Sequence, residues 1–233
     1  MHPNPRLNRS LSLIASAIIG NVSLVSAAEP VCSTALDPIA VTRDLDQRRL
    51  AAAGPDERAA TLRALPTKGR VTQLNVDDTH KLEGLAEVLR VHDRQSVYTV
   101  IVVDLPQARF ALPDKSVVVV SLPALRRLTA GEVQAMVAHE IGHEYVWNEY
   151  FAARERGDAP CLRQLELFCD AVAAITLHRA GLDPREIASG LSSIRAFNRQ
   201  FGTAKDDYAY PPIQEREAFI RKVIAAAAKR EPG

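Results

Sequence analysis

The chain has 233 residues, 29 basic against 28 acidic, a formal net charge of +1 with histidines neutral, 47% hydrophobic and 24% charged. This near-balance excludes a nucleic-acid binder, which carries a basic excess or stripe, and the apolar content excludes a disordered chain. A chain of this length and composition buries one substantial core.

Residues Met1 to Arg9 carry two arginines and no acid, Leu11 to Val25 are mostly apolar, and Ser26-Ala27-Ala28-Glu29-Pro30 brings small residues followed by a charge. That is the layout of a secretory signal peptide over residues 1–28, with cleavage after Ala27 or Ala28. The apolar stretch, interrupted by Ser12, Ser16, Asn21 and Ser23, falls short of the ~20 residues that span a bilayer, so no membrane span is expected in the mature chain. The mature protein is therefore expected to be exported, periplasmic or secreted. Removing residues 1–28 leaves 27 basic against 28 acidic residues, and no global field to steer a charged partner.

Export would place Cys32, Cys161 and Cys169 in an oxidising compartment. Two cysteines eight apart on one helix lie ~12 Å apart, beyond the ~7 Å limit for a disulfide. The expected bridge therefore joins Cys32 to Cys161 or Cys169; the other reading leaves all three as buried thiols.

Helical patterning runs from Ile39 to Ala53, where Gly54-Pro55 stops it, from Asp56 to Leu65, and from Thr79 to Val91, giving a helical N-terminal segment over residues 29–95. His80 and His92 flank the last of these helices, with no ligand spacing. The character then changes. Val97–Val103 and Ser116–Val120 are β-branched runs with a third short strand at Arg109–Leu112 between them, and turn residues Asp104, Pro106 and Pro113-Asp114-Lys115 around them. Helical patterning returns at Thr129. Helices, a small sheet, then helices read as an α+β domain.

The chemistry-bearing motif follows. Thr129 and Glu132 form a capping box that opens a helix, and inside it stands His139-Glu140-Ile141-Gly142-His143. Side chains at i and i+4 share a helical face, so His139 and His143 can present two imidazoles to one metal ion, with Glu140 beside them as general base. Gly142 in mid-helix costs ~1 kcal/mol against Ala, which is expected only where a backbone or ligand comes close. A second helix, Leu162 to Ala180, carries Glu166 and Asp170 at i and i+4 among largely apolar neighbours. Glu166 would complete a His/His/Glu set for one Zn2+, and Asp170 would accept the free ring N–H of a ligand histidine. Cys169 is read as a small core residue, and Trp147, Tyr150 and Phe151 as core or cleft wall.

These residues resemble the gluzincin metallopeptidases that include the heat-shock protease HtpX, the CaaX prenyl protease and periplasmic quality-control proteases. The resemblance covers Tyr98 to Phe219. It rests on Val103-Asp104, Arg109-Phe110-Ala111-Leu112-Pro113, Ser116 to Ser121, His139-Glu140-x-x-His143, Glu166-x-x-x-Asp170 and Ala180-Gly181-Leu182-Asp183-Pro184. It implies a zincin-like peptidase domain over residues 96–233, with a small sheet packed on the histidine helix. It further implies a zinc endopeptidase acting on extended or unfolded polypeptide, in which Glu166 is the third ligand and Asp170 its supporting carboxylate. The family shows a His-Pro segment and then an arginine after the ligand helices, taken to stabilise the oxyanion. Here Tyr210 stands where histidine is expected and Arg216 follows. Tyr210 reads either as a phenolic donor to the oxyanion, together with Arg216, or as a packing residue before Pro211-Pro212. Two other functions remain open at this level: a zinc-bearing scaffold that holds a client without cutting it, and a latent protease masked by residues 29–95.

Overall fold

The computed structural model describes residues 31–33, 36–48, 50, 55–65, 69–201 and 209–229; the expected signal peptide lies outside these. Ten α-helices and three strands are placed among them: α1 (Pro38–Gln47), α2 (Pro55–Ala64), α3 (Val76–Glu83), α4 (Leu85–Val91), β1 (Thr99–Val103), β2 (Phe110–Asp114), β3 (Val117–Ser121), α5 (Leu122–Arg127), α6 (Ala130–Tyr145), α7 (Trp147–Arg156), α8 (Ala159–Arg179), α9 (Glu186–Asn198) and α10 (Ile213–Ala228). The chain is helix-rich with one small mixed sheet, an α+β arrangement. No helix among the described residues is long and apolar enough to cross a membrane.

The sheet order is β1-β3-β2. β2 and β3 form an antiparallel hairpin with Phe110 opposite Val120, and β1 runs parallel to β3 with Thr99 opposite Val117. Asp114 holds the hairpin turn by accepting from the backbone N–H of Ser116 at 2.7 Å and its hydroxyl at 2.8 Å. Register slips between Ala111 and Asp114, where Pro113 has no N–H to give; such a residue is tolerated on an edge strand. The free side of β1 is covered by residues 69–71: Val71 N–H donates to Val102 at 2.9 Å and Asp104 N–H to Gly69 at 2.7 Å. β2 is the other edge, and it packs against α6.

Helix α6 is the centre of the fold. Thr129 accepts from the Glu132 N–H at 3.1 Å while Glu132 accepts from the Thr129 N–H at 2.9 Å, the expected capping box. Glu132 also accepts from Ser189 and Ser193, fastening α9 to the start of α6. At the other end Arg94 donates to Glu144 at 2.6 Å, and the Tyr98 hydroxyl donates to the same buried carboxylate. Side chains of the N-terminal helices, among them Val41, Leu45, Leu85 and Val88, belong to the same apolar cluster as Val137, Ile141, Phe168 and Ile220. The segment 29–95 thus shares its core with the rest of the chain.

Two helix boundaries differ from expectation. Helix α1 ends at Gln47, several residues early, and Arg48 instead reaches the carbonyl of Tyr145 at 3.3 Å. The expected stop at Gly54 lies outside the described residues. The single helix expected over Thr79–Val91 is two, beginning at the Asn75 cap and broken at Gly84, whose carbonyl accepts from the Gln134 side chain of α6 at 2.7 Å.

Helices α6 and α8 approach closely at Gly142: a Cβ built there would lie 2.8 Å from Cα of Cys169 and 3.0 Å from its Cβ. The glycine is thus required by a neighbouring backbone. Gly142→Ala should destabilise by about 1–3 kcal/mol in chemical denaturation, against the helix propensity of alanine, because α8 must move. A stabilised variant would contradict this contact. Cys32 is bridged to Cys161, closing a loop across 129 positions, while Cys169 is free and buried. Cys32→Ser should cost about 2–5 kcal/mol of stability, with reductant producing the same loss in the unsubstituted protein and none in the variant.

Candidate metal centre

α6 and α8 bring the candidate residues into one buried cluster. One ligand atom each from His139, Glu140 and His143 lies within 4.8 Å of the others, a group able to hold a metal ion. From α8, Glu166 enters between the two imidazoles: its carboxylate is 3.4 Å from Nε2 of His139 and 3.8 Å from Nε2 of His143. Both Nε2 atoms therefore face the same carboxylate, and both Nδ1 atoms face elsewhere. His139 Nδ1 meets Asp170 at 3.0 Å, the partner expected from the sequence.

Arg216 sits differently from expectation. Its guanidinium, only 6% exposed, donates through Nε to one oxygen of Asp170 at 2.7 Å and through Nη2 to the other at 2.6 Å. The fork-to-fork pairing ties α10 to α8 and commits two of its donors to Asp170. Arg216 bears on the histidines through that carboxylate, and its Nη2 comes within 3.7 Å of Glu166. Asp170 is wholly buried and is held below the usual carboxylate range: burial pushes it up, and the charge and hydrogen bonds of Arg216, with His139, more than reverse this.

The same competition divides the other groups. Burial would depress His139, but hydrogen bonding to Asp170 and the adjoining Glu166 carboxylate lift it to about 9. His143 has no such carboxylate contact at Nδ1, and burial pulls it down to about 4. Glu166 is held low by His139 and His143 despite its burial. Glu140 is raised to about 7, chiefly by burial and further by Glu166, while the positive His139, the backbone N–H of Leu112 and Arg109 oppose the rise. That N–H comes from edge strand β2, so the open side of the sheet and the Glu140 carboxylate adjoin.

Two groups at the site escaped sequence reasoning. The Tyr150 hydroxyl donates to Glu166 at 3.4 Å and its ring packs edge-on against His143 at 4.7 Å. Cys169 places its sulfur 3.5 Å from Nδ1 of His143. Position i+7 from His143 for Tyr150 and i+3 from Glu166 for Cys169 were the available signals. Tyr210 is 44% exposed, and its hydroxyl is raised above its ordinary value first by the negative charge of Glu166, then by burial and Glu140. Its phenol thus belongs to the rim of the cluster.

The residues fit a metal. Oxygen Oε2 of Glu166 is buried without a hydrogen-bond partner and lies 3.4 Å from Nε2 of His139, while Oε1 of the same carboxylate is the oxygen nearest Nε2 of His143. Two imidazoles and a carboxylate form a donor set that suits zinc. A separate cavity of about 320 Å³, lined by Arg48, His92, Arg94, Tyr145, Thr176 and Arg179, contains none of these groups. His92, expected beside a surface helix, instead joins Tyr145 at 2.8 Å and Thr176 at 2.9 Å there.

No family model matches the chain, and no curated protein matches it.

A metal ion needs His139 neutral, while the metal-free ring holds its proton up to about pH 9. Binding should release one proton, so apparent zinc affinity should fall about tenfold per pH unit as pH drops below about 9, until other groups protonate. Competition against a chelator of known pH dependence measures this; a flat profile between pH 6 and 9 would contradict the protonated His139.

Proposed function

We propose that the protein is a zinc-dependent endopeptidase with a zincin-like site, acting outside the cytoplasm on extended or unfolded polypeptide. The observation that carries this reading is the convergence of His139, His143 and Glu166 on one buried point, with the orphaned Oε2 of Glu166 and the Glu140 carboxylate beside it. One zinc ion per chain, held by those three residues, would supply Lewis-acid polarisation of a peptide carbonyl and of the attacking water.

The chain's own groups account for the remaining work. Glu140, beside the two histidines, would take a proton from the attacking water and hand it to the leaving amine. Asp170, itself held by Arg216, keeps the proton of His139 on Nδ1 and its lone pair on Nε2. Tyr210 stands on the rim as the donor for a developing oxyanion, and its raised pKa keeps it protonated. β2, which pairs with no further strand among the described residues, would offer backbone groups to an extended segment bound by strand addition with little regard for its sequence. The Cys32–Cys161 bridge supports an oxidising location.

Purified wild-type protein should contain one zinc per chain and cleave an unfolded protein substrate. Glu140→Gln should keep the metal and lose about 10²–10⁴ in rate, and Glu166→Ala should lose the metal. Equal cleavage by wild type and Glu140→Gln would sink the assignment.

A further inference from the structure

We infer that Cys169 is a positioning residue for His143: its sulfur accepts the hydrogen bond of Nδ1–H and so leaves the lone pair on Nε2, the nitrogen that faces Glu166. The inference deepens the proposed function, since it concerns how one of the metal-facing histidines is set.

A neutral imidazole carries one proton on either nitrogen, and only the nitrogen without it can bind a metal. Which tautomer forms is decided by the partner of the other nitrogen. For His139 that partner is Asp170, at 3.0 Å from Nδ1. His143 presents its Nε2 to the same Glu166 carboxylate, at 3.8 Å, and its Nδ1 to the sulfur of Cys169, at 3.5 Å, a normal separation for a sulfur acceptor. A histidine that binds a metal does so as the neutral ring, which has a single proton to place.

The sulfur is suited to this task. Cys169 is fully buried and outside any disulfide. Its place beside His143 follows from the close approach of the two helices: Gly142 lets α8 come so near that Cys169 lies against the residue next to His143. The edge-on rings of Tyr150 at 4.7 Å and His139 at 5.1 Å limit how far the imidazole can tilt, but offer Nδ1 no acceptor. The two histidines are therefore braced unequally, one by an ionised carboxylate anchored on Arg216 and one by a weak, uncharged acceptor.

The test begins with metal-free, full-length, nitrogen-15-labelled protein, in which long-range proton–nitrogen correlation reads the tautomer of each histidine. His143 is expected to carry its proton on Nδ1. Cys169→Ala, a change that suits a helix, should move that proton substantially to Nε2, while Cys169→Ser, which restores an acceptor, should return it to Nδ1. In chelator competition Cys169→Ala should bind zinc about tenfold more weakly, the low end of the range for loss of a supporting hydrogen bond. A wild-type ring protonated on Nε2, or a Cys169→Ala protein with unchanged tautomer and zinc affinity, overturns the inference. The wild-type tautomer is read without metal, substrate or substitution, so a ring protonated on Nε2 overturns the inference even if Cys169→Ala fails to fold or the protein cleaves nothing.

Discussion

Everything at the site depends on how closely α6 and α8 pack at Gly142 and Cys169. A side chain at position 142 would require Cys169 to move away by several tenths of an ångström or more. The ligand groups come from both helices, His139, Glu140 and His143 from one and Glu166 and Asp170 from the other, so their separations are set by this single contact. Glycine is poor in mid-helix by about 1 kcal/mol relative to alanine. Here that cost is offset by packing two helix backbones together and by the polar contacts made on either side of the contact.

Burying so many charges demands partners, and the fold supplies them in chains. Arg216 holds Asp170, which holds His139, which stands against Glu166. At the far end of α6, Arg94 and Tyr98 satisfy Glu144, and at the near end Ser189 and Ser193 satisfy Glu132. Breaking such a buried pair on one side costs about 3–5 kcal/mol, because the remaining charge is stranded. Oε2 of Glu166 has ionic neighbours and no hydrogen bond, and Oε1 of Gln164 on the same helix is likewise buried without one.

Much of the local structure was legible before any coordinates. The capping box at Thr129, the i and i+4 histidines, the acidic pair of α8 and the two β-branched strands depend on near neighbours in sequence, and each lies where its pattern puts it, while the third strand runs on into Pro113-Asp114, which read as a turn. Other features depended on distant partners and were misjudged. Arg48 ends α1 by turning to Tyr145, Gln134 captures the carbonyl at the Gly84 break, and His92 is drawn in between Tyr145 and Thr176. Arg216, expected at an oxyanion, is engaged by Asp170, 46 positions away. Tyr150 and Cys169 carry no motif, and they matter only because of what lies across from them.

The amino-acid order by itself determined which residues can share a helical face, because 3.6 residues per turn bring positions i and i+4 together without help from the rest of the chain. It also gave the near-neutral charge and thereby removed any long-range field from consideration. Only the tertiary structure decided that the two faces meet, that Nδ1 of one histidine finds a carboxylate and Nδ1 of the other a thiol, and that edge strand β2 lies against Glu140. Those outcomes come from packing between segments far apart in sequence, where the few ångströms that distinguish a hydrogen bond from a mere neighbour are set by the whole core and not by local periodicity.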